Sequence, residues 1–337
     1  MLFIVLIIAL TTRSLTVGGL NENESRLKGD CDAYSPLSHL RLPRDTSGFV
    51  KPEEPPKYFG IDIDGTLLAK NKEVWERNIE AFAETRRRGY IPFLCTGRAQ
   101  GSSLNLIGGK TVMEKISYRG YPGVYKNGAV IFAEDGKVLS MHIFPKEFLK
   151  ILYNFLVANE LIANILFYDE EELFSLVEDN KVLKKMTSGK STIPKIFKFE
   201  DMLKKNILML KYQGFELNVP EFKEGIDYIE KVDVNGTHDL SPSGVTKASG
   251  IQELMEHYGL STKDCGFIGD GYNDVEAMEL CEYSFAVANA PDEVKRHAKF
   301  VLDKTCDQAA VAEALELMYG PFTVTSDLAN VHQMVQL

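Results

Sequence analysis

From Lys57 onward the chain alternates short apolar runs with amphipathic helical patterns. The apolar runs lie at 58–63, 91–95, 124–125 with 129–132 just beyond, 266–268 and 285–288. The helical patterns lie at 74–88, 245–258, 274–281 and 308–319. Near-continuous apolar strands that alternate with amphipathic helices are typical of a parallel sheet covered on both faces. The sequence therefore predicts an α/β fold with a Rossmann-like parallel-sheet core.

Three of the predicted strands end in polar clusters. These clusters read DIDGT at 62–66, TGR at 96–98 and GDGYND at 269–274. In open α/β sheets, ligands bind outside the carboxyl ends of the strands. We therefore expect the three clusters to converge on one site.

An insertion far longer than a crossover requires separates the second cluster from the third. Residues 133–234 have their own alternation, with a predicted helix at 145–159 and predicted strands at 165–168 and 207–212. This pattern predicts a separate α/β unit. Such a unit at the carboxyl edge of the main sheet can close over the site and exclude water. The alternative is an ordinary second lobe without a gating role.

Four aspartates of the polar clusters indicate a metal site. Asp62 and Asp64 are two residues apart on a predicted strand, so both carboxylates face the same side. Two close carboxylates raise each other's pKa unless a cation lies between them. Asp270 and Asp274 come from another strand end and the start of the next helix. Oxygen ligands favour Mg²⁺, and the His/Cys spacing of a zinc site is absent.

Groups suited to a phosphate accompany these carboxylates. Thr96 supplies a hydroxyl and, with Gly97, backbone N–H groups expected at a helix start, which is a ready anion site. Lys247 lies at the start of a predicted helix, where its point charge suits a phosphate or a phosphoaspartate. A carboxylate nucleophile, a neighbouring acid/base and Mg²⁺ together indicate phosphoryl transfer through an aspartyl phosphate.

At these residues the chain resembles the haloacid dehalogenase-like hydrolases. The resemblance is strongest to the Cof-type branch, in which a large α/β cap is inserted after the second motif, and it covers residues 57–318. It implies a hydrolase core at 57–132 and 235–320 and an inserted cap at 133–234. The stretches 127–129 and 286–290 also resemble that branch, with structural roles expected.

The resemblance implies a role for each candidate residue. Asp62 is the nucleophile and Asp64 the general acid/base, while Thr96 and Lys247 hold the transferring phosphoryl group.

The same resemblance implies the metal ligands. Mg²⁺ is held by Asp62, the backbone carbonyl of Asp64, and Asp270. Asp274 supports Lys247 or the waters on the metal, and Asn273 touches the phosphate or a metal-bound water.

The second aspartate of the first motif separates this chain from other members of the superfamily. Ion-pumping ATPases have a threonine at the position of Asp64, and the dehalogenases lack the acid. An aspartate there can protonate the leaving alcohol and later activate water. The resemblance therefore implies a magnesium-dependent phosphatase for a small phosphate monoester, with a sugar phosphate expected from the branch. A phosphomutase and a non-enzymatic phosphometabolite-binding or sensor protein stay open as alternatives.

The amino-terminal residues predict where in the cell the protein is sent. Residues 2–10 are apolar without interruption, which is too short to span a bilayer but is the length of a signal-peptide core. We expect a signal peptide at 1–19 and entry into the secretory pathway, with the cytoplasm as the alternative. Residues 20–56 hold five prolines and scattered charges, which predict an unstructured leader. The leader and the tail at 321–337 lie outside the resemblance.

The charge balance limits the partners. The formal net charge is −10, and no basic stripe suits a nucleic-acid backbone. The expected partner is a small phosphorylated metabolite, with no nucleic acid and no stable membrane span.

Overall fold

A computed structural model describes residues 44–182, 184, 194–233 and 236–322. Its strands, in chain order from β1 to β15, are Arg44–Asp45, Tyr58–Ile61, Ile91–Cys95, Gly123–Tyr125, Val130–Phe132, Val138–Met141, Ile165–Tyr168, Leu173–Ser175, Lys195–Ile196, Met209–Tyr212, Tyr228–Val232, His238–Pro242, Cys265–Gly269, Tyr283–Ala286 and Phe300–Val301. The helices with described bounds, from α1 to α9, are Lys72–Arg87, Gln100–Leu106, Gly109–Ile116, Lys146–Ala158, Phe199–Met202, Lys247–His257, Val275–Leu280, Asp292–Lys295 and Ala310–Tyr319.

The larger sheet has nine strands in the order β1-β15-β14-β13-β2-β3-β4-β5-β6. Along this order, all neighbouring strands of the first seven, β1-β15-β14-β13-β2-β3-β4, pair in parallel. This confirms the expected α/β fold with a parallel core. The strands β5 and β6 add an antiparallel edge, because the chain reverses at Lys126 and Asn127, whose φ values are 50° and 56°. The apolar residues at 129–132 therefore form a strand of their own rather than a continuation of β4.

Helices cover this sheet. Every residue of β2 and β13 is buried, and successive side chains of a strand point to opposite faces, so both faces must be covered. Asn71 caps α1 by accepting from the backbone N–H groups of Glu73 and Val74. The helix α1 packs against α3 and α9, and α6 packs against α7.

Five strands of the second sheet lie within the expected insertion, and the sixth, β12, follows it. Its order is β11-β12-β10-β7-β8-β9, with antiparallel pairs except for β8 and β9. It has its own apolar cluster, which includes Phe148 and Leu152 from α4 and Phe167 and Leu210 from the sheet. We call this sheet, together with the helices α4 and α5 that pack in the same apolar cluster, the cap.

The sheets divide the chain at other residues than the expected 133 and 234. The strand β6 still pairs with the larger sheet through β5, and β12 belongs to the cap sheet because it pairs with β10 and β11. The chain thus leaves the larger sheet after Met141 and leaves the cap sheet after Pro242.

Part of the expected leader is structured. The strand β1 pairs with β15, and the ring of Phe49 lies 5.0 Å from that of Phe300 and 5.8 Å from that of Phe285. The expectation of an unstructured segment is therefore wrong for residues 44–56. The apolar contact and the edge pairing offset the conformational entropy that is lost when these residues are ordered. The expected signal peptide at 1–19, the rest of the expected leader and residues 323–337 lie outside the described residues. Within the described part of the chain, no helix is both long enough and apolar enough to cross a bilayer.

Candidate active site

A buried lysine joins two of the predicted aspartates. The Nζ atom of Lys247 lies 2.6 Å from Oδ1 of Asp62 and 2.6 Å from Oδ1 of Asp274. Burial by itself lowers the pKa of Lys247, but the two carboxylates outweigh it and the pKa is raised. The lysine therefore stays charged in a place without solvent.

The position of Lys247 follows from the start of α6. Thr246 caps this helix, with its hydroxyl accepting from the N–H of Ser249. The turn at 126–128 lies against Thr246, the N-cap residue of α6. A Cβ atom at Gly128 would come within 2.1 Å of the Thr246 carbonyl oxygen. Glycine is thus required for this close approach, and the resemblance at 127–129 has the expected structural role.

The loop after β2 brings Asp270 beside Asp62. The backbone of Gly65 has φ 74°, and a Cβ atom there would lie 2.2 Å from Oδ2 of Asp270. The hydroxyl of Thr66 donates to Oδ1 of Asp270 at 2.9 Å. Asn289, from the run at 286–290, donates to the Gly65 carbonyl at 2.9 Å and so holds the loop from the other side.

The three buried or half-buried carboxylates fit a divalent cation. One carboxylate oxygen from each of Asp62, Asp270 and Asp274 lies within 4.8 Å of the others. Burial raises the pKa of Asp62 well above its usual range, and Lys247 offsets this only in part. Burial and the charge of Asp274 raise the pKa of Asp270 to about 7. Three carboxylates against one lysine leave excess negative charge, and hard oxygen donors are what Mg²⁺ prefers.

Asp274 supports the site more than it faces it. Its Oδ1 accepts from Lys247, and its Oδ2 accepts from the N–H groups of Asp270 and Gly271 at 2.9 and 2.8 Å. Both oxygens are therefore engaged, as expected for a residue that positions Lys247. In contrast, among the described residues none donates to Oδ2 of Asp62.

Asp64 does not join this cluster. Its two oxygens lie 2.5 and 2.6 Å from Nε and Nη2 of Arg98, and its side chain is 53% exposed. Asp64 thus lies at the solvent-exposed side of the site, paired with Arg98.

The structure places Thr96 and Gly97 in the loop ahead of α2 rather than at its start, because α2 begins at Gln100. The N–H of Thr96 donates to the Val124 carbonyl at 2.9 Å, so it is not free for an anion. Only the expected placement at a helix start is therefore wrong, and a phosphate contact through the Thr96 hydroxyl and Gly97 stays a prediction. The Thr96 hydroxyl accepts from the N–H of Arg98 at 3.2 Å.

Asn127 fills the space next to this loop. A Cβ atom at Gly97 would lie 2.8 Å from Oδ1 of Asn127, and the same oxygen accepts from Nδ2 of Asn273 at 3.0 Å. Asn273 is thus tied to the second motif and to the turn at 126–128. Neither Arg98 nor Asn127 is among the site residues predicted from the sequence, although Arg98 directly follows Thr96 and Gly97, which are.

The sequence matches the family model of the haloacid dehalogenase-like hydrolases over residues 59–315. Among curated relatives, the 5-amino-6-(5-phospho-D-ribitylamino)uracil phosphatase YwtE of Bacillus subtilis is 25% identical over 296 residues, which cover 79% of this chain and 99% of the relative. The chloroplastic endoribonuclease YBEY of Arabidopsis thaliana is 25% identical over 271 residues, and these cover 77% of this chain. The chain spans only about half of that relative, 46% of its length.

A solved structure supports the same assignment. A HAD/COF-like hydrolase from Plasmodium vivax is 29% identical, with a TM-score of 0.70 and coverage of 81% of this chain and 96% of the other. Relatives that are named phosphatases confirm the expected enzyme class. The chain belongs to the haloacid dehalogenase-like hydrolases, as its motifs predict.

Proposed function

We propose that this hydrolase is a magnesium-dependent phosphatase that cleaves a small phosphate monoester through an aspartyl phosphate on Asp62. The observation that carries the proposal is the contact of the buried Lys247 with both Asp62 and Asp274. The exposed Asp64 lies two residues after Asp62. This arrangement holds one oxygen of Asp62 and leaves the other for attack.

The proposed reaction uses the two aspartates in turn. An oxygen of Asp62 forms a bond to phosphorus while the bond from phosphorus to the leaving oxygen breaks. Asp64 gives a proton to that oxygen, and afterwards takes a proton from the water that hydrolyses the phosphoenzyme. Lys247 stays between Asp62 and Asp274 and balances charge on the phosphoryl group.

Three oxygens are proposed to hold Mg²⁺. They come from Asp62, Asp270 and the backbone carbonyl of Asp64, and the cation would supply charge neutralisation at the phosphoryl group. The raised pKa values of Asp62 and Asp270 support this, because burial and then the neighbouring carboxylates disfavour the ionised forms, and a bound cation would offset both effects.

The cap is proposed to close over the site. Four contacts support this role: Glu171 accepts from the N–H of Gly101 at 3.3 Å, Lys231 pairs with Glu276, Lys126 lies over Tyr168, and Asn127 contacts Met209. A closed cap excludes water and contacts the leaving group. A sugar or polyol phosphate is the proposed substrate class, in line with the ribityl phosphate in the name of the Bacillus subtilis relative.

Release of inorganic phosphate tests the proposal. The wild-type protein with Mg²⁺ should hydrolyse p-nitrophenyl phosphate and members of a sugar-phosphate panel, and Asp62→Asn should abolish this. Asp292→Asn is the matched control, because that carboxylate is 88% exposed and, within the described part of the chain, its one ion pair is with Lys295. An isomeric ester without free phosphate would indicate the mutase. Binding without turnover by the wild type would indicate the sensor.

A place in the secretory pathway is a separate proposal. It is supported by the apolar run at 2–10, which lies outside the described residues. Residues 1–56 fused to a fluorescent reporter should carry it into the endoplasmic reticulum, and Leu6→Arg should prevent this by interrupting the run. A wild-type fusion that stays in the cytoplasm would contradict the proposal.

A further inference from the structure

A lysine from the core lies buried beneath the cap, next to the loop after β3 that carries Arg98. Lys126 is in the turn between β4 and β5, and its N–H donates to the carbonyl of Arg98 at 3.1 Å. Its side chain is only 3% exposed, and Nζ lies 4.5 Å from the ring centroid of Tyr168 on the cap strand β7. The same Arg98 holds Asp64, so Lys126 lies on the side of the site where the leaving group is expected.

Lys126 forms no direct ion pair with a carboxylate among the described residues. Among the described residues, no carboxylate oxygen lies within 4.0 Å of its Nζ. The charged or titratable groups that face it from the neighbouring elements are Arg98, Tyr168, Asp169, Glu171, Lys211 and Asp239.

The nearby acids already have other partners. Asp239 binds Lys211 at 2.8 Å, Asp169 lies 3.5 Å from Lys205, and Glu171 accepts from the N–H of Gly101. Lys211, on the cap strand β10, adds a second positive charge close to Lys126, and burial with this neighbour lowers the pKa of Lys126 to about 8. Lys211 has Asp239 as its partner, whereas Lys126 has no directly paired anion. A buried cation without such a partner is unfavourable, so Lys126 is poised for a negatively charged ligand.

We propose that Lys126, with Lys211 beside it, forms a second anion subsite, and that the substrate carries a second negative group, a carboxylate or another phosphate, on its leaving group. This inference rests on the proposed phosphatase function, which supplies the first phosphate. A neutral sugar alcohol would leave the lysine uncompensated when the cap is closed. An anionic group there would form a charge-assisted contact.

Matched phosphate esters test the subsite. The pairs are 3-phosphoglycerate with glycerol 3-phosphate, 6-phosphogluconate with glucitol 6-phosphate, and fructose 1,6-bisphosphate with fructose 6-phosphate. The first two pairs test a carboxylate and the third a second phosphate. In at least one pair the wild type should prefer the more acidic member, and Lys126→Met should lower kcat/KM for that member by about tenfold or more, since a bond to a charged group has this magnitude.

The controls separate charge from folding. Lys126→Met should change kcat/KM for the less acidic member and for p-nitrophenyl phosphate by less than about threefold, and Lys126→Arg should restore the preference because it keeps the charge. Lys137→Met removes a charge from an exposed side chain of the core and should leave every substrate unaffected. Each variant keeps a residue with a Cβ atom at position 126, so the backbone conformation there is no more strained than in the wild type.

Two failures are distinguishable. If the wild type hydrolyses p-nitrophenyl phosphate but shows no acidic preference in any pair, or Lys126→Met lowers both members equally, the subsite is wrong while the phosphatase stands. If the wild type releases phosphate from no ester, the phosphatase proposal is wrong. Calorimetric binding of the same pairs then still reads the subsite, and equal Kd values for the two members of every pair would overturn it.

Discussion

Arg98 binds both carboxylate oxygens of Asp64, with Nε 2.5 Å from Oδ2 and Nη2 2.6 Å from Oδ1. Such a bidentate pair fixes the orientation of the carboxylate. Arg98 thereby orients Asp64, the proposed general acid/base, toward one side of the site.

Replacing Arg98 should therefore affect substrates according to their leaving group. Arg98→Met should lower kcat for sugar phosphates by about 10- to 100-fold, because it removes the positioning of the acid and so part of the roughly 10²- to 10⁴-fold contribution of general acid–base catalysis. The loss on p-nitrophenyl phosphate should be much smaller, because its leaving group needs no proton. Steady-state kinetics on both esters measures this, with Arg77→Met as the control for an exposed arginine paired with Glu316. Equal losses on the two esters would contradict the positioning role.

Mg²⁺ should stabilise the protein through Asp270. At a hundred times its Kd, a bound cation adds about 2.7 kcal/mol to the free energy of unfolding. The wild-type melting temperature should rise with Mg²⁺ and fall with chelator, and Asp270→Asn should lose most of this response. Asp292→Asn should retain it. Ca²⁺ should also raise the melting temperature but inhibit turnover, because its larger and more flexible coordination misplaces the attack. Full activity in excess chelator would exclude the metal assignment.

Gly65 and Gly89 offer a matched pair of substitutions. Both have positive φ, 74° and 87°, so alanine at either should cost about 1–2 kcal/mol of backbone strain. Only at Gly65 would the new methyl group meet Asp270, whereas nothing lies within 4 Å at Gly89. Chemical denaturation should show a loss for both variants, while the Mg²⁺ response and activity should fall only for Gly65→Ala. An active, Mg²⁺-responsive Gly65→Ala protein would show that the loop can shift without harm.

The preference for an acidic leaving group should depend on pH. The lowered pKa of Lys126, about 8, means that the free protein carries this charge below pH 8 and loses it above. The carboxylate of the substrate stays ionised across this range. The ratio of kcat/KM for 6-phosphogluconate to that for glucitol 6-phosphate should therefore be constant below pH 7 and fall as the pH rises through 8. Lys126→Arg should remove this fall, since arginine does not titrate there. A flat ratio in the wild type up to pH 10 would contradict the assignment.

Local patterns predicted much of the fold. The strands Ile91–Cys95 and Ile165–Tyr168 have the bounds that their apolar runs predicted, because each run is closed by polar or turn-forming residues. The convergence of Asp62, Asp270 and Asp274 followed from their places at the ends of parallel strands. The sheet to which β6 belongs could not be predicted, because its half-buried pattern suits either edge.

The sequence by itself determined the alternating α/β core, the family and the set of acidic residues at the strand ends, because periodicity and motif spacing are local properties of the chain. Only the tertiary structure decided which charges meet. Lys126 of the core lies over the ring of Tyr168 on the cap, and Arg98 binds Asp64 outside the carboxylate cluster that Lys247 contacts. Side-chain direction and the balance of burial against ion pairing depend on neighbours distant in sequence, so no local pattern could reveal these contacts.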